Sequence, residues 1–191
     1  MQLRSSNARR AFGAGGFLAT AMISVYATVA ALVLLACCAW GANAAGLAAW
    51  SGGAPPRLML KDLAGTEHDL AEYKGKVVLV NFWATWCEPC RAEMPSMESL
   101  RQRNANAPFV VLAVNVDEPE QRIRAFLQRM PLAFQVLVDP GMQATRAWNA
   151  RILPASFLLG RDGRIRYSAR GDVDWTSEPV TRVVAELLKT P

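Results

Sequence analysis

The chain has 191 residues, enough for one domain plus an appendage, with 52% hydrophobic residues and a formal net charge of +5. Much of that positive balance sits in the first 44 residues. Without Arg4, Arg9 and Arg10 the remainder carries 18 basic against 16 acidic residues and no basic cluster, which argues against nucleic acid as a partner.

The chain opens on those arginines and then on an apolar stretch, Phe17 to Trp40, long enough to cross a bilayer. Positive charge on its N-terminal side predicts that this end stays in the cytoplasm and the rest is exported. Ala42-Asn43-Ala44 has the small residues of an export cleavage site, and Arg9-Arg10-Ala11-Phe12 resembles a twin-arginine signal. Leu34-Leu35-Ala36-Cys37 loosely resembles a lipoprotein cleavage box, and an uncleaved anchor is the fourth reading. All four put the rest of the chain on the same side of the membrane. The expected organisation is a signal peptide or membrane anchor over 1–44, a linker over 45–56 and one domain over 57–191.

The segment from Ala45 to Pro56 is small, Gly/Pro-rich and uncharged, as a linker is. Arg57-Leu58-Met59-Leu60-Lys61 alternates as a short strand does, Ala64-Gly65-Thr66 reads as its turn, and Asp69–Tyr73 as a short helix or irregular link. Val77-Val78-Leu79-Val80 begins a buried strand running to Phe82. Met94, Met97 and Leu100 recur at helical spacing, so a helix extends to about Asn104, with Pro95 a point of bending. Phe109–Val116 is apolar almost throughout, which implies a strand covered on both faces, as in a parallel sheet. Ile123, Phe126, Leu127 and Met130 mark a second helix starting near Glu118. A strand over Phe134–Val138 and a short helix over Met142–Trp148 follow. Ala155–Leu159 and Arg164–Ser168 flank the turn Gly160-Arg161-Asp162-Gly163 as a hairpin, and a last helix covers about Ser177–Thr190. Alternating β and α elements, then a hairpin and a helix, predict an α/β domain with a mixed central sheet and helices on both faces.

Cys87 and Cys90 fall where the first buried strand ends and its helix begins. The first turn of a helix offers unpaired N–H groups and the positive end of the macrodipole, which favour a thiolate. Cys87 is thereby the exposed, activated sulfur, and Cys90, one turn on, is placed to bridge to it. So short a loop adds little stability, so the bridge is one that opens and closes. Structural zinc would need two ligands beyond this pair, and the domain's one histidine is His68, read as a surface residue in a polar turn. No metal site and no bound cofactor are expected; the redox-active disulfide is the reactive group. Cys37 and Cys38 lie inside the apolar leader.

The run Lys74-Gly75-Lys76-Val77-Val78-Leu79-Val80-Asn81-Phe82-Trp83-Ala84-Thr85-Trp86-Cys87-Glu88-Pro89-Cys90-Arg91, with Leu153-Pro154-Ala155-Ser156-Phe157-Leu158 and Gly171-Asp172-Val173-Asp174-Trp175, resembles the thioredoxin fold. In detail it resembles the exported branch of that fold, the thioredoxin-like thiol:disulfide reductases typified by those of cytochrome c maturation (the TlpA/ResA/DsbE-like group). The stretch between Asp117 and Val138 resembles the central insertion of that branch, and the resemblance covers Pro56 to the C-terminus. It implies that Cys87 is the attacking thiolate and Cys90 the resolving one. It also implies that Pro154 is a cis-proline packed against the pair, with the backbone of Leu153 before it pairing with a substrate strand.

Two departures stand out. Thioredoxins themselves keep a buried aspartate where this chain has Asn81, and Glu93, on the Cys90 side of the helix, matches the acid that the exported branch uses instead; an ordinary first-turn glutamate is the alternative. Ile152-Leu153 replaces a Gly and a small or β-branched residue before the proline. Between the cysteines, Glu88 and Pro89 tune the couple: a negative charge at Glu88 opposes the thiolate and makes the protein more reducing. Trp83, Trp86 and Trp175 either cover the disulfide or pack in the core, with core packing favoured for Trp83.

The expected activity is thiol:disulfide oxidoreduction by an exported or anchored reductant on the periplasmic side of a bacterial inner membrane. Expected partners are disulfide-containing client proteins such as apocytochrome c or copper-site proteins, a membrane thiol-reductase electron donor, and the membrane through the N-terminal segment. The competing readings are a disulfide oxidant or isomerase, and a Cu(I)-binding thiol protein; no Met or His adjoins the motif to complete a copper site.

Overall fold

The computed structural model describes residues 46–190. The apolar stretch Phe17 to Trp40, the three arginines and the cleavage motifs lie outside the described residues. Among the described residues no helix is long and apolar enough to cross a membrane.

The organising element is the strand β4 (Val77–Trp83), buried at all seven positions. Its side chains alternate between two cores. Val77, Leu79 and Trp83 enter one, with Met94, Met97 and Leu100 of the helix α1 (Glu88–Arg103). Val78, Val80 and Phe82 enter the other, with Leu112, Phe157 and Trp148. Burying each such Val, Leu or Phe contributes roughly 1.5–3 kcal/mol, which is why a continuous apolar run becomes a central strand and not an edge.

β4 pairs in parallel with β5 (Phe109–Val116), with Trp83 opposite Asn115, and β5 with β6 (Gln135–Asp139). On its other side β4 pairs antiparallel with β7 (Ala155–Leu159), which continues to β8 (Ile165–Arg170) as the hairpin. At the far edge β2 (Met59–Asp62) pairs with β6 and with β3 (Glu67–Asp69). A 3-10 turn covers Leu70–Tyr73. With β1 (Ala48–Ala49) at the near edge, the sheet order is β1-β8-β7-β4-β5-β6-β2-β3. Helices α1, α2 (Glu120–Arg129) and α4 (Glu178–Lys189) supply one core, and residues beside α3 (Gln143–Ala147) supply the other. This is the expected mixed sheet with helices on both faces.

Two expectations are corrected. Part of the segment read as a linker belongs to the sheet: β1 (Ala48–Ala49) pairs with β8, Leu47 is buried, and the Trp50 ring meets Phe157 edge-on at 5.8 Å. Its alanines carry no periodic signal, because an edge strand is recruited through backbone hydrogen bonds that any residue supplies. His68, read as a turn residue, lies in β3 with its ring held between the Tyr73 hydroxyl at 2.6 Å and Asp62 Oδ2 at 3.1 Å.

Candidate redox site

β4 delivers the chain to the site, and three residues, Ala84 to Trp86, turn it into α1. Cys87 caps that helix with an extended backbone, and its sulfur accepts from the Cys90 N–H at 3.3 Å. Pro89 sits in the first turn, where a missing N–H removes nothing the helix would use. Cys87 and Cys90 form a disulfide with their Cα atoms 5.3 Å apart. Cys87 is 5% exposed and Cys90 not at all, so of the pair only Cys87 retains any contact with solvent. The oxidised Cys87 is thus far less open than the exposed sulfur expected. Glu88 pairs with Arg91, one turn on.

One turn after Cys90, on the same side of α1, Glu93 is buried to 4% exposure. Its carboxylate accepts from Asn81 Nδ2 at 2.7 Å, the Val173 N–H at 3.1 Å and Trp175 Nε1 at 3.3 Å. Burial still prevails over these three donors and pushes its pKa up to about 7, with the nearby charge of Asp172 acting in the same direction. A carboxyl group balanced between its two forms near neutral pH is suited to proton exchange. Asn81 also reaches Ser156 Oγ at 2.9 Å, directly across the β4–β7 pairing. Val173 and Trp175 come from the Gly171–Trp175 stretch, so that stretch closes the polar pocket from the far side.

The Leu153–Pro154 bond is cis, and Pro154 is buried. Leu153 is half-buried and forms, with Trp86, part of the wall of a cleft of about 550 Å³. Trp86 is 65% exposed, whereas Trp83 and Trp175 are fully buried. Of the three tryptophans only Trp86 is free to meet another molecule.

In the sequence Glu118 marks only a helix start. It lies two residues before α2, with its side chain 3% exposed. Its carboxylate accepts from the Thr85 N–H and Thr85 Oγ1, both at 2.6 Å, and from Asn115 Nδ2 at 2.8 Å. It therefore ties the turn before Cys87 to the end of β5. A signal for it existed: polar residues just beyond the C-terminal end of a parallel strand, next to the strand that carries the cysteines, mark the usual ligand crevice of such sheets.

Residues 52–168 match the AhpC/TSA family. The thiol-disulfide oxidoreductase ResA of Geobacillus kaustophilus is 38% identical over 131 residues, 69% of this chain and 74% of the relative. ResA of Geobacillus thermodenitrificans is 39% identical over 115 residues, 60% of this chain and 66% of the relative. A crystal structure described as the thiol:disulfide interchange protein DsbE of Chlorobium tepidum superposes with a TM-score of 0.67 at 30% identity, covering 74% of this chain and 99% of that one. With the Cys87–Cys90 disulfide at the head of α1, these matches place the chain in the AhpC/TSA family of thioredoxin-like proteins, in its ResA/DsbE-like group of thiol-disulfide oxidoreductases.

Proposed function

We propose that this protein is an exported or membrane-anchored reductant of disulfides in periplasmic client proteins. Thiolate Cys87 attacks a sulfur of the client disulfide, forming a mixed disulfide and releasing the client's other cysteine as a thiolate. Cys90 then attacks Cys87 in that mixed disulfide, and the client leaves with both cysteines reduced. The protein is left oxidised by two electrons. A membrane thiol carrier must return them, because an oxidising compartment does not.

The observation that carries this reading is the buried Glu93, one turn from Cys90 and poised near neutral pH. The resolving thiol must lose its proton while shielded from water. A carboxyl group near 7 lies closer to a thiol in proton affinity than an ordinary carboxyl group does, so it is the better acceptor for that proton. Glu93 is the acid–base partner in this scheme, Leu153 and Pro154 align the client strand, and Trp86 covers it. Export rests on the N-terminal leader, with its arginines and apolar stretch. Apocytochrome c haem-site cysteines, then copper-site cysteines, are the client classes that the resemblance to cytochrome c maturation reductases favours.

The test is the reduction potential of the Cys87–Cys90 couple, by glutathione or dithiothreitol equilibration. A value near about −270 mV or lower supports the reductant, whereas one near about −120 mV would make the protein a disulfide donor. Cys90→Ser should trap a mixed disulfide with a client, and Cys87→Ser should not.

A further inference from the structure

We infer that the cleft beside the disulfide is a docking groove for an extended client segment that carries an acidic side chain close to its cysteine, read by Arg146 and Arg151. The inference rests on the functional reading above and names the clients that it would take.

The cleft holds about 550 Å³ and is lined by Trp86, Val116, Met142 and Leu153, with Arg146 and Arg151 beside them. Its position is informative because Trp86 precedes Cys87 and Leu153 precedes the cis-proline. A strand reaching Cys87 along Leu153 must therefore pass this wall. The N–H and C=O of Leu153 take no part in the backbone hydrogen bonds among the described residues, so both remain for an incoming strand. Arg151 lines the same cleft two residues before Leu153, so a client side chain close to the residue that pairs with Leu153 is offered its guanidinium.

Charge selects the occupant. No carboxylate lines the cleft. Arg101, Arg166 and Arg182 each hold a carboxylate, but Arg146 and Arg151 are exposed and make no ion pair or side-chain hydrogen bond among the described residues. Two uncommitted guanidiniums on a wall whose only other polar side chain is the neutral Thr145 leave a positive potential that an acidic side chain would complement. Guanidinium groups favour carboxylates through paired, parallel hydrogen bonds.

The backbone around the cleft gives an independent sign of a built surface. Asp117, Met142 and Asn149 all have positive φ, at 52°, 55° and 53°. Met142 lines the cleft, and the other two adjoin the lining residues Val116 and Ala150. Such conformations are uncommon outside glycine and gather where a surface must be held in shape. Here Asp117 Oδ1 accepts from the Gly141 N–H at 2.6 Å, which locks two of the three segments together.

The test compares two disulfide-bonded peptides, identical except for aspartate or lysine two residues from one cysteine, each with an apolar residue nearby. Their exchange rates with the reduced wild-type protein are measured alongside hydroxyethyl disulfide, a small uncharged substrate. The acidic peptide should react about threefold to tenfold faster in dilute salt, the size expected of two rim charge pairs. The ratio should approach one as the Debye length falls from about 30 Å at 0.01 M to about 3 Å at 1 M salt. In Arg146→Glu/Arg151→Glu the ratio should fall below one, and in Arg146→Gln/Arg151→Gln it should approach one. Because each ratio is internal to one protein, partial loss of folded material does not distort it. Exchange with hydroxyethyl disulfide together with a wild-type peptide ratio near one, or a ratio unchanged in the variants, would overturn this inference alone. No exchange with hydroxyethyl disulfide would remove the reductant reading and the inference with it.

Discussion

Asn81, at the middle of the sheet, donates its side-chain N–H to Glu93 Oε1 at 2.7 Å and so ties the central strand to the carboxyl group one turn from Cys90. The same nitrogen reaches Ser156, while Asn81 Oδ1 is buried without a partner. The amide stands where thioredoxins keep an aspartate, so the one ionisable carboxyl group of this pocket lies on the helix and not on the strand. That relocation places the titration of this pocket on α1.

Glu93 should make the oxidised protein less stable as pH rises. Its folded pKa of about 7 exceeds the ordinary value of 4.5, so its contribution is fully present below about 4.5 and is lost as pH rises through about 7. At most this amounts to something on the order of 3 kcal/mol. Glu93→Gln should flatten the trend. Denaturant midpoints at pH 5 and pH 8 give the comparison, and equal slopes in the two proteins would refute it.

Asn81→Asp would set a second carboxyl group against the first at hydrogen-bond distance. Two such groups share a proton and titrate as a pair, with one step displaced well upward. The variant should match the wild type in acid and lose about 2–4 kcal/mol above neutrality, where both groups tend to ionise. A pH series of urea melts reads the difference, and a uniform loss at every pH would contradict it.

Glu118 should matter to the redox turn more than to the sheet. Glu118→Ala removes the acceptor for the Thr85 N–H, Thr85 Oγ1 and Asn115 Nδ2, leaving one buried and two half-buried donors unsatisfied at about 1–3 kcal/mol. Glu118→Gln keeps an acceptor and should recover more than half of that. Hydrogen exchange at Thr85 and Trp86 should accelerate in the alanine variant by about tenfold or more, while β7 is unaffected. Equal acceleration across the whole domain would point to plain destabilisation.

Glu88→His should make the couple more oxidising. The substitution replaces an acceptor-only anion with a group that favours a neighbouring thiolate, and it removes the ion pair to Arg91. Both cysteines being unchanged, the potential should rise by about 30 mV or more, a tenfold change in the equilibrium. Since Glu88 is largely exposed and Arg91 partly so, high salt should shrink the difference.

Much of this was written locally. The run Val77–Phe82 had to be a buried strand because it is apolar at every position but Asn81. Helical spacing from Met94 to Leu100, the Gly160–Gly163 turn and the amphipathic face of Val180, Val183 and Val184 likewise located their elements within a few residues. The Cys87–Cys90 spacing at a strand-to-helix junction pointed to redox chemistry without any tertiary information. β1 went unseen because pairing at a sheet edge needs only backbone groups, which leave no trace in residue type.

What the chain determined by itself was therefore whatever depends on near neighbours: the periodic elements, the capped helix and the two sulfurs one turn apart. The tertiary structure decided everything that depends on residues distant in sequence. It buried Glu93 by bringing Asn81 and Trp175 to it, turned Glu118 from a helix-start residue into a clamp on Thr85, and left Trp86 exposed while covering Trp83 and Trp175. The reason is physical. Burial and the loss of water set the proton affinity of a carboxyl group and the reach of a charge, and neither is a property of a residue and its immediate neighbours alone.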